Sequence, residues 1–215
     1  MPGTCARVLL LAILFAPVPI RAEEQGWFDA AAVVRLPRRF GFRVSHEMRG
    51  RKLTYADRSL WNVEAGLTRR LPEGLRAGVA FRRQRATRSG RTTRENRVSV
   101  KLEHQRDLAR RLRFDARLQG ESRVYTDPVT ADNWRARLRL RFQGSMRAGG
   151  LVVEPFLASE ILGDTLDDTL NQHRLDLGLE TPVCDRLRLR LGYLRMDARR
   201  REPLHALKTG IELSF

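Results

Sequence analysis

Cysteine is nearly missing from this chain: Cys5 and Cys184 are the whole supply. Cys5 lies ahead of an apolar stretch that export would remove, and the single thiol left over excludes an internal disulfide framework. No second cysteine or neighbouring histidine stands by to complete a metal site with Cys184. Long hydrophobic runs are scarce too. The longest, residues 8–20, is broken by Pro17 and Pro19 and falls short of the ~20 apolar residues a helix needs to cross a bilayer. Arg7 precedes it, and Ile20-Arg21-Ala22 follows in front of Glu23, the pattern of a secretory signal peptide over residues 1–22. Residues 23–215 then form one domain by length. Carboxylates are also short, 25 against 41 lysines and arginines, for a net charge of +16. So basic a chain ordinarily suggests nucleic acid. Here the arginines are dispersed on alternate positions of many segments, and exported chains seldom work on nucleic acid, so no such partner is expected.

What the chain does have is alternation. Trp134-Arg135-Ala136-Arg137-Leu138-Arg139-Leu140-Arg141-Phe142 switches between apolar and cationic at every residue. Successive side chains on a β-strand point to opposite faces, so the segment has one apolar and one charged face. Eleven candidate strands follow: 27–36, 40–49, 60–70, 75–84, 96–105, 112–124, 134–143, 151–161, 172–181, 187–196 and 204–215. Most reach the roughly 9–11 residues a tilted strand needs to cross a bilayer. Short turn-like connections (37–39, 72–74, 107–111, 145–149, 182–186) alternate with longer polar ones (50–59, 85–95, 125–132, 162–171, 197–203). That is the arrangement of an outer-membrane barrel with its turns in the periplasm. The expected fold is therefore all-β, an antiparallel up-and-down transmembrane β-barrel of 10–12 strands filling residues 23–215. Eleven segments conflict with the even number usual in single-chain bacterial barrels. Either a strand is missed or merged, or the N-terminal segment runs through or along the barrel.

Charge decides which face is inside. An arginine on the lipid face costs ~2–4 kcal/mol near the bilayer midplane, and four of them would rival a domain's net stability of about 5–15 kcal/mol. Arg135, Arg137, Arg139 and Arg141 must point inward. The same parity places Arg113, Asp115, Arg117, Arg174, Asp176, Glu180, Arg188, Arg190 and Glu212 in the interior. Arg43, Arg76, Arg82, Arg97 and Lys208 join them, as do Glu103, Glu121, Glu154 and Glu160. Inward neighbours on paired strands sit about 5 Å apart, within reach of Arg–carboxylate pairing. Such an interior either plugs a narrow barrel or lines a water-filled passage, and rings of excess cation would favour anions.

Catalytic patterns are thin. The four histidines are His46, His104, His173 and His205, and no Gly-x-Ser-x-Gly occurs. No enzyme activity and no cofactor are expected. The acidic segment Gly163-Asp164-Thr165-Leu166-Asp167-Asp168 lacks the spacing of a calcium loop and is expected to be solvated. The basic segment 85–94 suits contact with anionic lipopolysaccharide. Trp27, Trp61, Trp134, Tyr55, Tyr125 and Tyr193 fall near strand ends, as an aromatic girdle requires.

The last strand alternates Leu207, Thr209, Ile211, Leu213 and the terminal Phe215. It resembles the signal read by the outer-membrane barrel assembly machinery, with Phe215 as its closing aromatic. Trp27, Arg38-Arg39-Phe40, Arg49, Glu95-Asn96-Arg97, Ser159-Glu160-Ile161-Leu162, Asn171-Gln172-His173-Arg174 and the Asp185–Tyr193 segment resemble a family of exported bacterial proteins called domain of unknown function 2490. The resemblance implies a barrel and supplies no activity. The expected protein is a barrel of the cell outer membrane, in contact with outer-membrane lipids, lipopolysaccharide and the assembly machinery. Three roles are open to it: a narrow anion-preferring channel or transporter, a plugged structural or interaction barrel contacting lipopolysaccharide, and, last, a lipid-modifying enzyme.

Overall fold

A computed structural model describes residues 25–51, 58–88, 90–127, 130–165, 169–199 and 202–215. The expected signal peptide and Tyr55 lie outside the described residues. The strands are β1 (Gln25–Arg35), β2 (Phe40–Arg51), β3 (Arg58–Arg70), β4 (Leu75–Arg88), β5 (Arg91–Ala109), β6 (Leu112–Tyr125), β7 (Asn133–Gly144), β8 (Met146–Ala148), β9 (Leu151–Asp164), β10 (Thr169–Cys184), β11 (Leu187–Ala198) and β12 (Leu204–Ser214). Eleven of them close a continuous wall in chain order, with β7 beside β9 and β12 returning to β1. The three-residue β8 pairs only with β9.

The odd strand count is resolved by one parallel pair. Every other wall pairing is antiparallel, whereas β1 lies parallel to β12 from Gln25↔Ala206 to Val33↔Ser214. The N-terminal segment is thus part of the wall and neither threads nor skirts the barrel. Both seam strands run from the end that carries the longer connections, here the loop end, to the end that carries the short ones, the turn end. Two backbone hydrogen bonds finish the seam, Phe215 N to Val33 O at 2.8 Å and Arg35 N to Phe215 O at 2.9 Å.

The expected loop 85–95 is corrected to strand. β4 continues to Arg88 and β5 begins at Arg91, so the hairpin stands beyond its neighbours. Thr87 Oγ1 lies 3.1 Å from Thr92 Oγ1 across it, and threonine pairs of this kind stabilise strands despite their polarity. Gly90, at φ 77°, supplies the left-handed step that reverses the chain. At the turn end Arg38 and Arg39 both hold positive φ, 57° and 66°, the backbone of a tight hairpin turn without its usual glycine.

The alternation separates two faces. Outward positions are apolar and open, among them Val79, Val100, Leu118 and Trp134, the last 64% exposed. Trp61, Trp134 and Tyr193 stand on this face. Trp27 and Tyr125 do not: register puts them inside with Asp29 and Arg123. Trp27 is buried against Leu194, Ala206 and Leu204, its Nε1 donates to Gln25 Oε1 at 3.0 Å, and the Arg49 guanidinium lies 3.6 Å from its ring centroid. The cation–π contact and the packing against Leu194 and Ala206 hold the indole inside.

Candidate functional site: the barrel interior

The inward residues of β6, β7, β9 and β10 form the densest part of the interior. Arg137 donates from Nη1 to Glu121 at 2.8 Å and from Nη2 to both Glu160 oxygens at 2.9 and 2.8 Å. Glu160 also meets Arg117 at 3.1 Å and Arg174 at 3.4 Å. Glu121 takes a second cation, Arg97, at 3.2 Å. Arg135 pairs with Asp164 at 3.1 Å. Arg139 reaches Asp176 at 3.7 Å, while Lys208 holds the same carboxylate at 2.6 Å. Glu180 gathers Arg141 at 3.0 Å, Arg188 at 3.5 Å and Arg190.

Many of these bridges skip a strand. Lys101 on β5 reaches Glu64 on β3, Arg117 on β6 reaches Glu160 on β9, and Arg141 on β7 reaches Glu180 on β10. Arginine and lysine are long enough to cross one intervening strand, so the lattice wraps the inner wall and packs inward on itself. Phe156 adds an apolar centre, with the Arg141 guanidinium 4.5 Å and the Arg190 guanidinium 5.4 Å from its ring centroid. Gly178 makes room for that ring: a Cβ there would sit 2.3 Å from Leu191 O and 3.0 Å from the Phe156 ring.

Burial along the interior is uneven. Glu121 and Leu162 are 0% exposed and Asn62 1%, and Ser99, Gln119, Leu194 and Ala206 are buried with them. Such small side chains as Ser99 and Ala206 lose contact with water only if neighbours fill the space in front of them. Toward the turn end the packing continues on the β7–β10 side, where Gln143, Phe156 and Glu180 are buried, and loosens elsewhere. Arg43 and Asp29 are 40% and 37% exposed, and Glu212, bonded to Arg43, is 34% exposed. Arg76–Glu103 and Arg113–Asp115 are similarly wet, and Arg113 also donates to Gln143. Asp29, Arg43, Arg188, Arg190 and Glu212 line one open cavity there. The interior is thus filled toward the loop end and along β7–β10, and open at the turn end beside β1, β2, β11 and β12.

The chain matches the family model described as "Protein of unknown function (DUF2490)" over residues 24–203. It belongs to that family. Among solved structures it is similar to the β domain of the Bordetella autotransporter Brka, with 14% identity, 82% of each chain covered and a TM-score of 0.54. This likeness concerns the barrel fold alone. A siderophore receptor from Pseudomonas aeruginosa, PirA, aligns over 80% of this chain and 34% of its own at 14% identity, with a TM-score of 0.30. No curated protein matches the sequence significantly.

In this family member all the interior candidates named from the sequence face inward, and all meet an opposite charge. Phe215 stands outside, its ring exposed and its backbone in the seam. The sequence reading left out Asp29, Glu47, Glu64, Glu95, Asp164 and Arg123, which carry part of the lattice. Glu95 alone holds Arg97 and Arg123, at 2.6 and 2.8 Å. Glu47 shares parity with Arg43, already placed inside, so its signal was present; no residue of 60–70 had been placed, which left Glu64 without a reference, and Glu95 and Asp164 fell in segments expected to be loops.

Among the described residues one Ser–His contact occurs. Ser159 Oγ lies 2.9 Å from His173 Nε2 on the outward face, and Asp197 stands opposite His173 in register. Both Asp197 oxygens, however, are held by Arg195 Nε at 3.1 Å. Among the described residues Asp197 is bonded to Arg195 and no hydrogen bond joins it to His173, so the pair is not completed to a Ser–His–carboxylate triad in this structure. Among the described residues no cluster of His, Cys, Asp and Glu could hold a metal ion.

Proposed function

We propose that this protein is an outer-membrane β-barrel with a closed interior, a structural or interaction barrel and not an open pore, with no enzyme activity and no cofactor. The outer membrane suits an outward face of exposed valine, leucine and phenylalanine flanked by aromatics, which water would not tolerate at this extent. The short-turn end then faces the periplasm and the loop end the cell exterior. One observation carries the closed reading: Glu121, in the loop half of β6, is fully buried between Arg97 and Arg137. A carboxylate lining an ion path would be wet. The excess of inward cations favours the channel reading only if this lattice opens, because most of those cations are engaged by carboxylates. Lipopolysaccharide, phospholipid and the assembly machinery are its expected contacts.

Planar-bilayer recording of the purified protein tests the proposal. The expected trace has no steady conductance, and Glu121→Ala with Arg137→Ala, which empties the centre of the lattice, introduces one. A steady anion-selective current through the wild type would return the protein to the channel class. Unchanged lipid profiles on deletion of the protein and in a Ser159→Ala strain agree with the absence of enzyme activity; a defined deacylated lipid that disappears with Ser159 would contradict it.

A further inference from the structure

The outward face is nearly free of carboxylates. Among the described strand residues Asp197 is the only one on it, and Arg195 holds it. On the loop half of the same face, β4 and β5 carry three arginines, Arg83, Arg85 and Arg94, all exposed. Arg85 and Arg94 are direct cross-strand partners. Like charges in that relation stand roughly 5 Å apart at Cβ and oppose pairing. Arg83 is the next outward residue on β4, and none of the three has a carboxylate partner among the described residues. Inside the barrel, by contrast, directly paired arginines such as Arg82 and Arg97, Arg97 and Arg123, or Arg117 and Arg139 each meet a carboxylate.

Their level is informative. Arg85 sits opposite Trp61 on β3, and Arg83 opposite Val63. The outward pair immediately below is Phe81 and Val98. The arginines therefore crown the apolar band beside an interfacial tryptophan, at the depth of lipid headgroups. Three arginines on neighbouring outward positions at that depth offer guanidinium forks to phosphate oxygens, which accept bidentate hydrogen bonds.

We infer that Arg83, Arg85 and Arg94, with Trp61 beside them, form an outward-facing site for the phosphates of a bisphosphorylated glycolipid of the outer leaflet, lipid A. A phospholipid headgroup of one net charge neutralises one guanidinium; two phosphates on one headgroup answer the three together. Its acyl chains then lie on Val63, Phe81 and Val98. The site rests on the proposed orientation, with the loop end outside, and not on the state of the interior.

The test is native mass spectrometry of the detergent-folded protein mixed with bisphosphorylated lipid A, its monophosphorylated form, or phosphatidylglycerol. The wild type should retain bisphosphorylated lipid A at least tenfold better than the other two. R83Q/R85Q/R94Q should lose that retention tenfold or more, while R69Q/R106Q, which alters outward arginines toward the turn end, keeps it. Circular dichroism and heat-modifiable gel mobility check that each variant is folded, and bilayer conductance, which reports the interior separately, should not change. Equal retention by R83Q/R85Q/R94Q overturns the site. Equal retention of phosphatidylglycerol overturns the glycolipid as its ligand. Loss confined to R69Q/R106Q overturns the orientation.

Discussion

At the scale of single residues, burial separates arginines that look alike in the sequence. Arg137 is held by Glu121 and Glu160 inside the filled half, whereas Arg76 meets Glu103 at 3.4 Å where both side chains are about one-third exposed. Removing one partner of a buried pair strands the other, at a cost of about 3–5 kcal/mol; removing a wet partner costs about 1 kcal/mol or less. Arg137→Met should therefore lower unfolding stability by roughly 3 kcal/mol or more, and Arg76→Met by about 1 kcal/mol at most, measured by urea titration in the same bilayer or detergent. Equal losses would mean that the interior is uniformly hydrated. Gly178 gives an apolar counterpart. A methyl group there meets Leu191 O, the Gly192 Cα and the Phe156 ring, so Gly178→Ala should cost about 1–3 kcal/mol by overpacking. If the same titration shows no loss, the Phe156 ring has another place to go.

Among elements, the β1–β12 seam is the least ordinary part of the wall, because parallel ladders are slightly weaker per residue than antiparallel ones. Ala30 and Ile211 are outward partners across it. Cysteines at these two positions, in a background with Cys184→Ser, should form an intramolecular disulfide under mild oxidation, since directly paired Cα atoms fall within disulfide reach. A ten-strand barrel with β2 against β12 would leave them apart and unlinked. The sequence was most legible where charge and hydrophobicity alternate strictly, as in β7, and there every facing is as expected. It was least legible in β1, where Ala30-Ala31-Ala32 is small and neutral on both faces and gives no parity, so neither the parallel seam nor the inward Trp27 could be read. The β4–β5 hairpin was hidden by polarity: Thr87, Thr92 and Thr93 look like loop residues until their partners are known. Ion-pair partners were also illegible, because bridges that skip a strand, such as Arg117–Glu160, depend on the stagger of the closed wall and not on spacing along the chain.

For the whole molecule, eleven strands enclose a space narrow enough for long side chains to fill, and this barrel fills it except beside part of the turn end. The loop half is closed by the Glu121–Arg137–Glu160 lattice together with Trp27, Leu162 and Leu194; at the turn end, packing persists around Phe156 and Glu180, and a charged opening is left around Arg43, Asp29 and Glu212. Filling and charge thus belong to one arrangement, in which inward arginines act as packing as much as polarity. Thiol labelling reads this most directly. Ser99 is buried in the filled half and Ser214 faces inward at the turn end, and serine-to-cysteine changes disturb little at either place. With Cys184→Ser as background, a membrane-impermeant maleimide applied to the folded protein should modify Ser214→Cys rapidly and leave Ser99→Cys protected until the protein is unfolded. Rapid modification at both positions would show a continuous aqueous passage and contradict the closed barrel.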